Sequence, residues 1–462
     1  MDPYYWFVVF LAYFAYRYVR LVINLVAFWT FKSIPIPENP TLTNKDVTVI
    51  LPTLEGQGEE LERTIKSIML NEPYELILVT VDDNLVKAQK TVAKMPAGQQ
   101  GRLRCMSIKQ ANKRRQMARA IPEVRTEIIV FADDDVDWPQ KLLLWILAPF
   151  EHKIYGGVVT CQRLRRAEKP TFSQRIYGFL GALYLERRNF DCAATSRMDG
   201  GMACISGRTC AYRASILQDI NFTNGFTNEK WWFGQYQLNA DDDNFITRWL
   251  VNHKHEVRMQ YHPECEVKTT LENDSKFLKQ CLRWARSNWR SNLTSLFAER
   301  NIWTQQPWST YAVQLTTLSP PALLGDALLW WLLWLGTADW SIESSQNMFW
   351  FLLAWMTFSK FIKLITHFVR YPVDVLLWPV SILFGWIHGA IKMYALATLS
   401  ETTWGSRAGA DADDKDRMIK QPQLQPRSQY EYFDEKIDEK LPLHEAMNNT
   451  YYDTKRTPAL AA

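Results

Sequence analysis

From Tyr4 to Phe31 the chain is almost wholly apolar and aromatic, broken by the charges Arg17 and Arg20. A helix of that length crosses a hydrocarbon core of about 30 Å with tilt. The run is too long for the apolar region of a secretory signal and lacks a small-residue cleavage site. A buried core helix is the competing reading, and length favours the span. Arg17 and Arg20 fall in its C-terminal half with Lys32 just beyond, against only Asp2 in front. The positive-inside rule then puts the N-terminus outside and the chain after Lys32 in the cytoplasm.

Beyond about residue 300 the chain turns apolar again. Thr310–Thr337, Met348–Val369 and Val373–Leu399 are each long enough to cross a bilayer, and the middle one carries Lys360 and Lys363, which suits an interfacial position. Eleven of the twenty tryptophans lie between Trp303 and Trp404, as expected of interfacial aromatics. The mean hydropathy of -0.23 is therefore an average over unlike parts. Gly405 onward is polar and charge-mixed and reads as a disordered tail. A net charge of +4 is too mild for a dedicated nucleic-acid binder, so no nucleic-acid partner is expected. Seven cysteines, an odd count with no CxxC pair, make no disulfide framework and suit a reducing compartment.

Between these ends, the Pro-rich linker Ser33–Asp46 leads into strand Val47–Leu51, helix Glu59–Leu70, strand Leu76–Val81, helix Lys109–Ile121 and strand Glu127–Phe131. Alternation of this kind predicts a parallel sheet that binds ligands at the carboxyl ends of its strands. Two strands end in acids there: Asp82-Asp83-Asn84 and Asp133-Asp134-Asp135. An acidic triplet alone is usually a solvated turn, but directly after Ile-Ile-Val-Phe its carboxylates at i and i+2 can share one divalent cation. A second triplet, Asp241-Asp242-Asp243, opens a helical segment. Helix capping is the plain explanation. Crowded carboxylates also raise one another's pKa, which suits a general base. Gln280, Arg283 and Trp284 share one helical face, where an amide, a guanidinium and an indole can bind a sugar diphosphate or sit at headgroup level. His253, His255, His262 and Cys265 offer no closed zinc set. The basic stretch Lys109, Lys113, Arg114, Arg115 and Arg119 reads as a phosphate-facing or solvated surface.

The order of these motifs resembles the membrane-embedded processive family 2 glycosyltransferases, hyaluronan synthase-like and related polysaccharide synthases, of fungal type, over roughly residues 1–410. The resemblance implies a GT-A-like, Rossmann-type α/β catalytic domain with N- and C-terminal transmembrane helices. It divides the chain into a first span (1–32), linker (33–46), cytosolic transferase domain (47–275), interfacial QxxRW helices (276–305), transmembrane or interfacial helices (308–400), a gating-loop-like segment (401–410) and the tail (411–462). Asp82-Asp83 looks like the nucleotide-binding pair, Asn112-Lys113-Arg114 like the Gly-Lys-Arg element, and Asp133-Asp134-Asp135 like the metal-binding DxD. Ile205-Ser206-Gly207 resembles the acceptor-lining element, and Gln280–Trp284 is QxxRW. Asp242-Asp243 matches the acidic pair whose second member is the base, a register set by Thr247. Gly56, Asn84 and Asn112 depart from the family pattern, and one N-terminal span stands where hyaluronan synthases have two.

What this implies is an inverting transferase that polymerises and exports a β-linked polysaccharide from a cytosolic UDP-sugar, with the catalytic domain on the cytoplasmic face of the plasma membrane. Asp133 and Asp135 would hold Mn2+ or Mg2+. Asp82, Asp83, Glu55, Lys113, Asp134, Arg283 and Arg407 would bind the nucleotide sugar. Gln280, Trp284, Ser206, Gly207 and Trp404 would hold the acceptor, and Asp243, beside Asp242, would be catalytic. A single-sugar transferase acting on a lipid and an inactive scaffold of the same fold are the competing readings. A loop at Trp404–Arg407 that closes over a cytosolic site needs an even number of C-terminal crossings, so one of the three apolar segments, Met348–Val369 first, is expected to be interfacial or re-entrant.

Overall fold

The computed structural model describes residues 2–402. Helix α1 (Pro3–Trp29) starts where Asp2 accepts the Tyr4 amide at 2.9 Å and proline fills the first turn. Twelve strands follow among the described residues: β1 (Val47–Pro52), β2 (Glu75–Val81), β3 (Leu103–Ile108), β4 (Ile128–Ala132), β5 (Val136–Asp137), β6 (Tyr155–Thr160), β7 (Gln162–Leu164), β8 (Thr209–Arg213), β9 (Lys230–Trp231), β10 (Tyr236–Gln237), β11 (Glu256–Gln260) and β12 (Val267–Thr269). The helices that shape the site are α2 (Glu59–Met69), α3 (Lys113–Ala120), α4 (Phe172–Met198), α5 (Asp242–Asn252) and α6 (Lys276–Leu293). They are followed by α7 (Ala322–Gly336), α8 (Ile342–Ile362) and α9 (Trp378–Ala397).

Seven strands form one sheet in the order β11-β6-β8-β4-β1-β2-β3. Its centre is apolar on both faces, as continuous Val/Ile/Leu runs require. Val49, Leu51, Leu78 and Val130 pack toward α2, while Ile50, Ile77, Val79 and Phe131 pack on the face that carries Met117 of α3. The sheet is mixed rather than wholly parallel, because β8 lies antiparallel between β4 and β6, with Cys210 opposite both Phe131 and Val159. The reversal matters for the site. Strand β8 begins where β4 ends, so the loop before it lies beside Asp133, whose amide donates to the Arg208 carbonyl at 3.1 Å. A smaller sheet, β5-β12-β7, carries the chain away from that edge.

Helix Lys109–Ile121 is shorter than expected: it begins at Lys113, because the Asn112 side chain accepts the Arg115 amide at 3.0 Å and fixes the start there. The basic surface expected on it is also corrected. Arg114 is 1% exposed, donating to the carbonyls of Phe226, Ala240 and Asp241 and pairing with Glu229 at 2.7 Å. His253 and His262, weighed as zinc ligands, stack on Trp249 and Trp145.

Two helices, Pro3–Trp29 and Pro372–Ala397, are long and apolar enough to cross a membrane. The single span expected over Thr310–Thr337 is broken: Pro307–Thr317 and Ala322–Gly336 meet at 98°. Pro320 and Pro321 stand at the break without amide donors. Lys392 of α9 caps it by donating to the Thr316 and Ser319 carbonyls at 3.0 and 2.9 Å. The Met348–Val369 segment is not one helix either, since α8 ends at Ile362 and a new turn starts at Ile365. Arg17, one of the two charges within the apolar run, pairs with Asp326 of α7, which also holds Lys360 of α8 at 2.5 Å.

The C-terminal end of α1 packs into the core of the seven-stranded sheet. Phe28 meets Phe190 of α4 at 5.1 Å, the Tyr261 amide donates to Ser33 Oγ at 2.9 Å, and the Gln260 side chain brackets Ile34. Farther along, the Glu151 carboxylate accepts the Thr41 amide at 2.8 Å, so residues 33–46 are pinned along their length. At the other end of α1, a Cβ on Gly336 would stand 2.7 Å from backbone atoms of Phe7. Backbone cannot step aside cheaply, so Gly336→Ala should force α7 from α1 and cost about 1–3 kcal/mol. Gly385→Ala, which meets nothing within 4 Å, should be neutral or slightly stabilising. Thermal unfolding of the two variants side by side checks this.

Candidate active site

The carboxyl end of the sheet opens on a cavity of about 1070 Å³, at the upper end of the range of small-ligand sites. Asp133, Asp134 and Asp135 line it at the end of β4. Asp134 accepts from Thr53 Oγ1 at 2.8 Å, and Asp135 from Thr270 Oγ1 at 2.6 Å. Burial, with Asp133 next to it, pushes the Asp135 carboxyl up to about 6. That is the signature of crowded carboxylates short of positive charge.

Lys113, at the first turn of α3, supplies part of that charge. Its Nζ stands 2.8 Å from Asp133 Oδ1 and 3.2 Å from Asp242 Oδ2, tying the two acidic triplets together. Burial opposes the charged amine, yet Asp133 and Asp242 outweigh it and raise its pKa. Gly207 makes room for this bridge, since a Cβ there would lie 3.1 Å from the lysine nitrogen.

The three aspartates at the start of α5 have three different surroundings. Asp241, in the left-handed region at φ 68°, pairs with Arg290 of α6 at 2.8 Å. Burial would raise its carboxyl, but Arg290 and Ser287 hold it below the ordinary carboxylate range. Asp242 faces Lys113. Asp243 is raised, first by burial and then by Asp242, with the Cys204 thiol donating to it and Lys113 and Arg188 pulling the other way. Thr247 fixes the register, donating to the Asp243 carbonyl at 2.7 Å while accepting the Ile205 amide at 2.9 Å.

Gln280 and Arg283 line the cavity from α6. Gln280 Oε1 is buried with no hydrogen-bond donor. Trp284 stacks on Tyr184 at 4.6 Å, with the Arg208 guanidinium 5.6 Å above its ring. Ser206 is buried and donates to Gln162 Oε1 at 3.3 Å. The convergence therefore includes Asp133, Asp134, Asp135, Lys113, Asp242, Asp243, Gln280 and Arg283, with Ser206, Gly207 and Trp284 packed behind. Glu55, Asp82 and Asp83 are exposed and stand apart from the cavity lining, Asp82 accepting from Ser107 Oγ at 2.6 Å. Trp404 and Arg407 lie outside the described residues. The unusual Gly56 has a local cause: φ is 67°, and a Cβ would meet the Asn84 carbonyl at 3.0 Å.

Sequence reasoning missed Arg208 and the residue that orients it. Arg208 lines the cavity near Asp135 and is held by Gln162 Oε1 at 3.2 Å, the same oxygen that accepts from Arg188 at 3.2 Å. The available signal was a cation directly after Ser206-Gly207 at a strand start. Two carboxylates, Asp133 and Asp135, could share a divalent ion with substrate phosphates. Among the described residues, no three His, Cys, Asp or Glu side chains are grouped so as to hold a metal ion by themselves.

Residues 44–287 match the family described as "Glycosyltransferase like family 2". A "Type 2 glycosyltransferase" of Zymoseptoria tritici is 53% identical over 90% of this chain and 87% of its own length. The chain belongs to glycosyltransferase family 2. A "Type 2 glycosyltransferase" of Gibberella zeae is 50% identical over 91% of the transferase and 79% of the relative. NDP-glycosyltransferase ltbB of Aspergillus luteorubrus is 28% identical over 84% and 93%. Among solved structures, the mannosyltransferase PcManGT of Pyrobaculum calidifontis, in complex with GDP-Man and Mn2+, superposes with a TM-score of 0.52 over 86% of the transferase and 99% of that chain. At 15% identity this establishes the GT-A-like Rossmann fold.

The Asp241–Arg290 pair carries a stability prediction. Arg290→Met leaves a buried, unpaired carboxylate and should cost about 3–5 kcal/mol. Adding Asp241→Asn should recover part of the loss, as denaturant unfolding of the single and double variants would read.

Proposed function

We propose that this transferase is a membrane-embedded inverting enzyme that polymerises a β-linked polysaccharide from a UDP-sugar at the cytoplasmic face of the plasma membrane. The observation that carries the reading is the Lys113 bridge from Asp133, on the cavity wall, to Asp242, next to Asp243, which acts electrostatically on Arg283 of the same wall. Asp243 takes the proton from an acceptor hydroxyl, and that oxygen attacks the anomeric carbon from the face opposite the departing UDP. Its raised pKa, from burial beside Asp242, makes it a better proton acceptor than an exposed aspartate. Arg283 and Lys113 offer positive charge where negative charge builds on the diphosphate. A divalent ion at Asp133 and Asp135, when bound, would neutralise the diphosphate and improve it as a leaving group. Asp134 and Arg407 complete the donor side in this reading, and Gln280, Trp284, Ser206, Gly207 and Trp404 the acceptor side; Glu55, Asp82 and Asp83 stand apart from the cavity lining. The buried, donor-free oxygen of Gln280 suits a sugar hydroxyl.

Processivity is supported by the way α6 docks on α9. Trp289 Nε1 donates to the Lys392 carbonyl at 3.0 Å, and Arg286 Nε to Thr398 Oγ1 at 3.0 Å. The same cavity continues to Tyr371 and Pro372, at the root of that apolar helix, so a growing chain would leave along it. The opening at Pro372 also favours a second reading, in which one sugar is passed to a lipid.

Incubating the purified chain with a panel of UDP-sugars and Mn2+ or Mg2+, with UDP release and product size read together, separates the alternatives. Long products support polymerisation, one-sugar products the lipid acceptor, and no UDP release an inactive scaffold. Asp243→Asn should lower transfer about 10³-fold while UDP-sugar affinity stays within about twofold. In the unaltered enzyme, activity should rise with pH as Asp243 deprotonates, with the acid limb above the ordinary aspartate value of about 4. For orientation, Asn221-Phe-Thr and Asn292-Leu-Thr are N-glycosylation sequons; Asn221 is exposed, whereas Asn292 is buried and donates to Thr317 at 2.5 Å. A glycan on Asn221, seen as a glycosidase-induced mobility shift, would overturn the cytoplasmic assignment.

A further inference from the structure

Away from the cavity, cations gather where the catalytic core meets the apolar helices. Arg20 comes from α1, Arg187 from α4, Lys363 from the turn after α8, and His388 and Lys392 from α9. They act on one another electrostatically: Arg20 and Arg187 on Lys363, Arg187 and Lys392 on His388, and Arg20 on Lys392. All five are partly buried.

Their neighbours do not balance them. Lys392 is accounted for by the carbonyls at the helix break, and Arg17 and Lys360 nearby share Asp326. Arg20 has a buried Nη1 with no hydrogen-bond partner. Arg187 forms no hydrogen bond or ion pair with any described residue, and the carboxylate that acts on it is Asp191. That same Asp191 is the partner of Lys363, at 3.9 Å. One carboxylate, Asp191, thus answers to both Arg187 and Lys363, while Arg20 adds a further positive charge beside Lys363, an arrangement that is costly without a further anion.

We propose that this cluster binds the phosphate headgroup of an anionic membrane lipid. Two guanidinium groups and an ammonium match the oxygens and charge of a phosphate diester. Basic pockets between apolar helices near a cytoplasmic surface are suited to such headgroups. The exposed apolar side chains that flank the cations, Val19 and Val22 on α1 and Ile387 on α9, favour acyl chains over a free ion. None of the five cations lines the cavity, so the site is separate from the donor and acceptor. The inference rests on the membrane reading above.

The test is thermal unfolding of the full chain in a neutral detergent, titrated with short-chain phosphatidylglycerol, short-chain phosphatidylcholine or inorganic phosphate. Phosphatidylglycerol should raise the midpoint by about 3 °C or more, with little effect from the other two. Arg20→Gln with Arg187→Gln should abolish most of that shift, and Arg300→Gln, at an exposed arginine elsewhere, should keep it. If the double variant does not fold, Lys363→Met should lose part of the shift on its own. An equal response to phosphatidylcholine, an undiminished response in the variants, or a match by inorganic phosphate would overturn the lipid site. A chain that stays soluble without detergent would sink the membrane reading instead, whereas a detergent-held chain indifferent to phosphatidylglycerol sinks this inference alone.

Discussion

The ammonium of Lys113 is the interaction on which the site depends. It joins the end of a central strand to the start of α5, two acidic segments that would otherwise repel across a poorly screened interior. Asn112, one residue earlier, sets where α3 begins, and Arg114, one residue later, grips the carbonyls of Ala240 and Asp241. Three consecutive side chains therefore fix the helix start, the charge bridge and the chain that leads into the second acidic triplet. Gly207 completes the arrangement by leaving the bridge unobstructed.

Placement also separates chemically identical residues. Asp242 and Asp243 leave the helix start about 100° apart and Asp241 precedes it in the left-handed region, so each meets a different neighbour. One is held charged by Arg290, one is paired with Lys113, and one is left in a dry pocket beside its own sibling. A run of acids that composition counts as three equal charges becomes a structural anchor, a counter-ion and a proton acceptor.

What could be read from the sequence was local. The Val/Ile/Leu runs of β1, β2 and β4 announce buried strands, and acids directly after them sit where an α/β sheet presents ligands. Asp133 was legible for that reason, whereas Asp243 was legible only through its place at a helix start and its resemblance to the family's acidic pair. The antiparallel placement of β8 was not, because it is decided by pairing between segments distant in sequence, and Arg208 was missed with it. Arg114 looked like one of several surface cations, since its buried carbonyl partners come from a stretch far along the chain. The break near Pro320-Pro321 was written locally and was outweighed by the length of the apolar run around it.

The pinned segment after α1 bears on how the protein comes to exist. Phe28 and Phe31 belong to the same core as the central sheet, and Gln260 closes around Ile34. Helix α1 is thus also part of the surface that completes the core. A core parted from α1 would keep Phe190 and Tyr261 uncovered, so helix and sheet make one folding unit rather than an anchor tied to a separate domain.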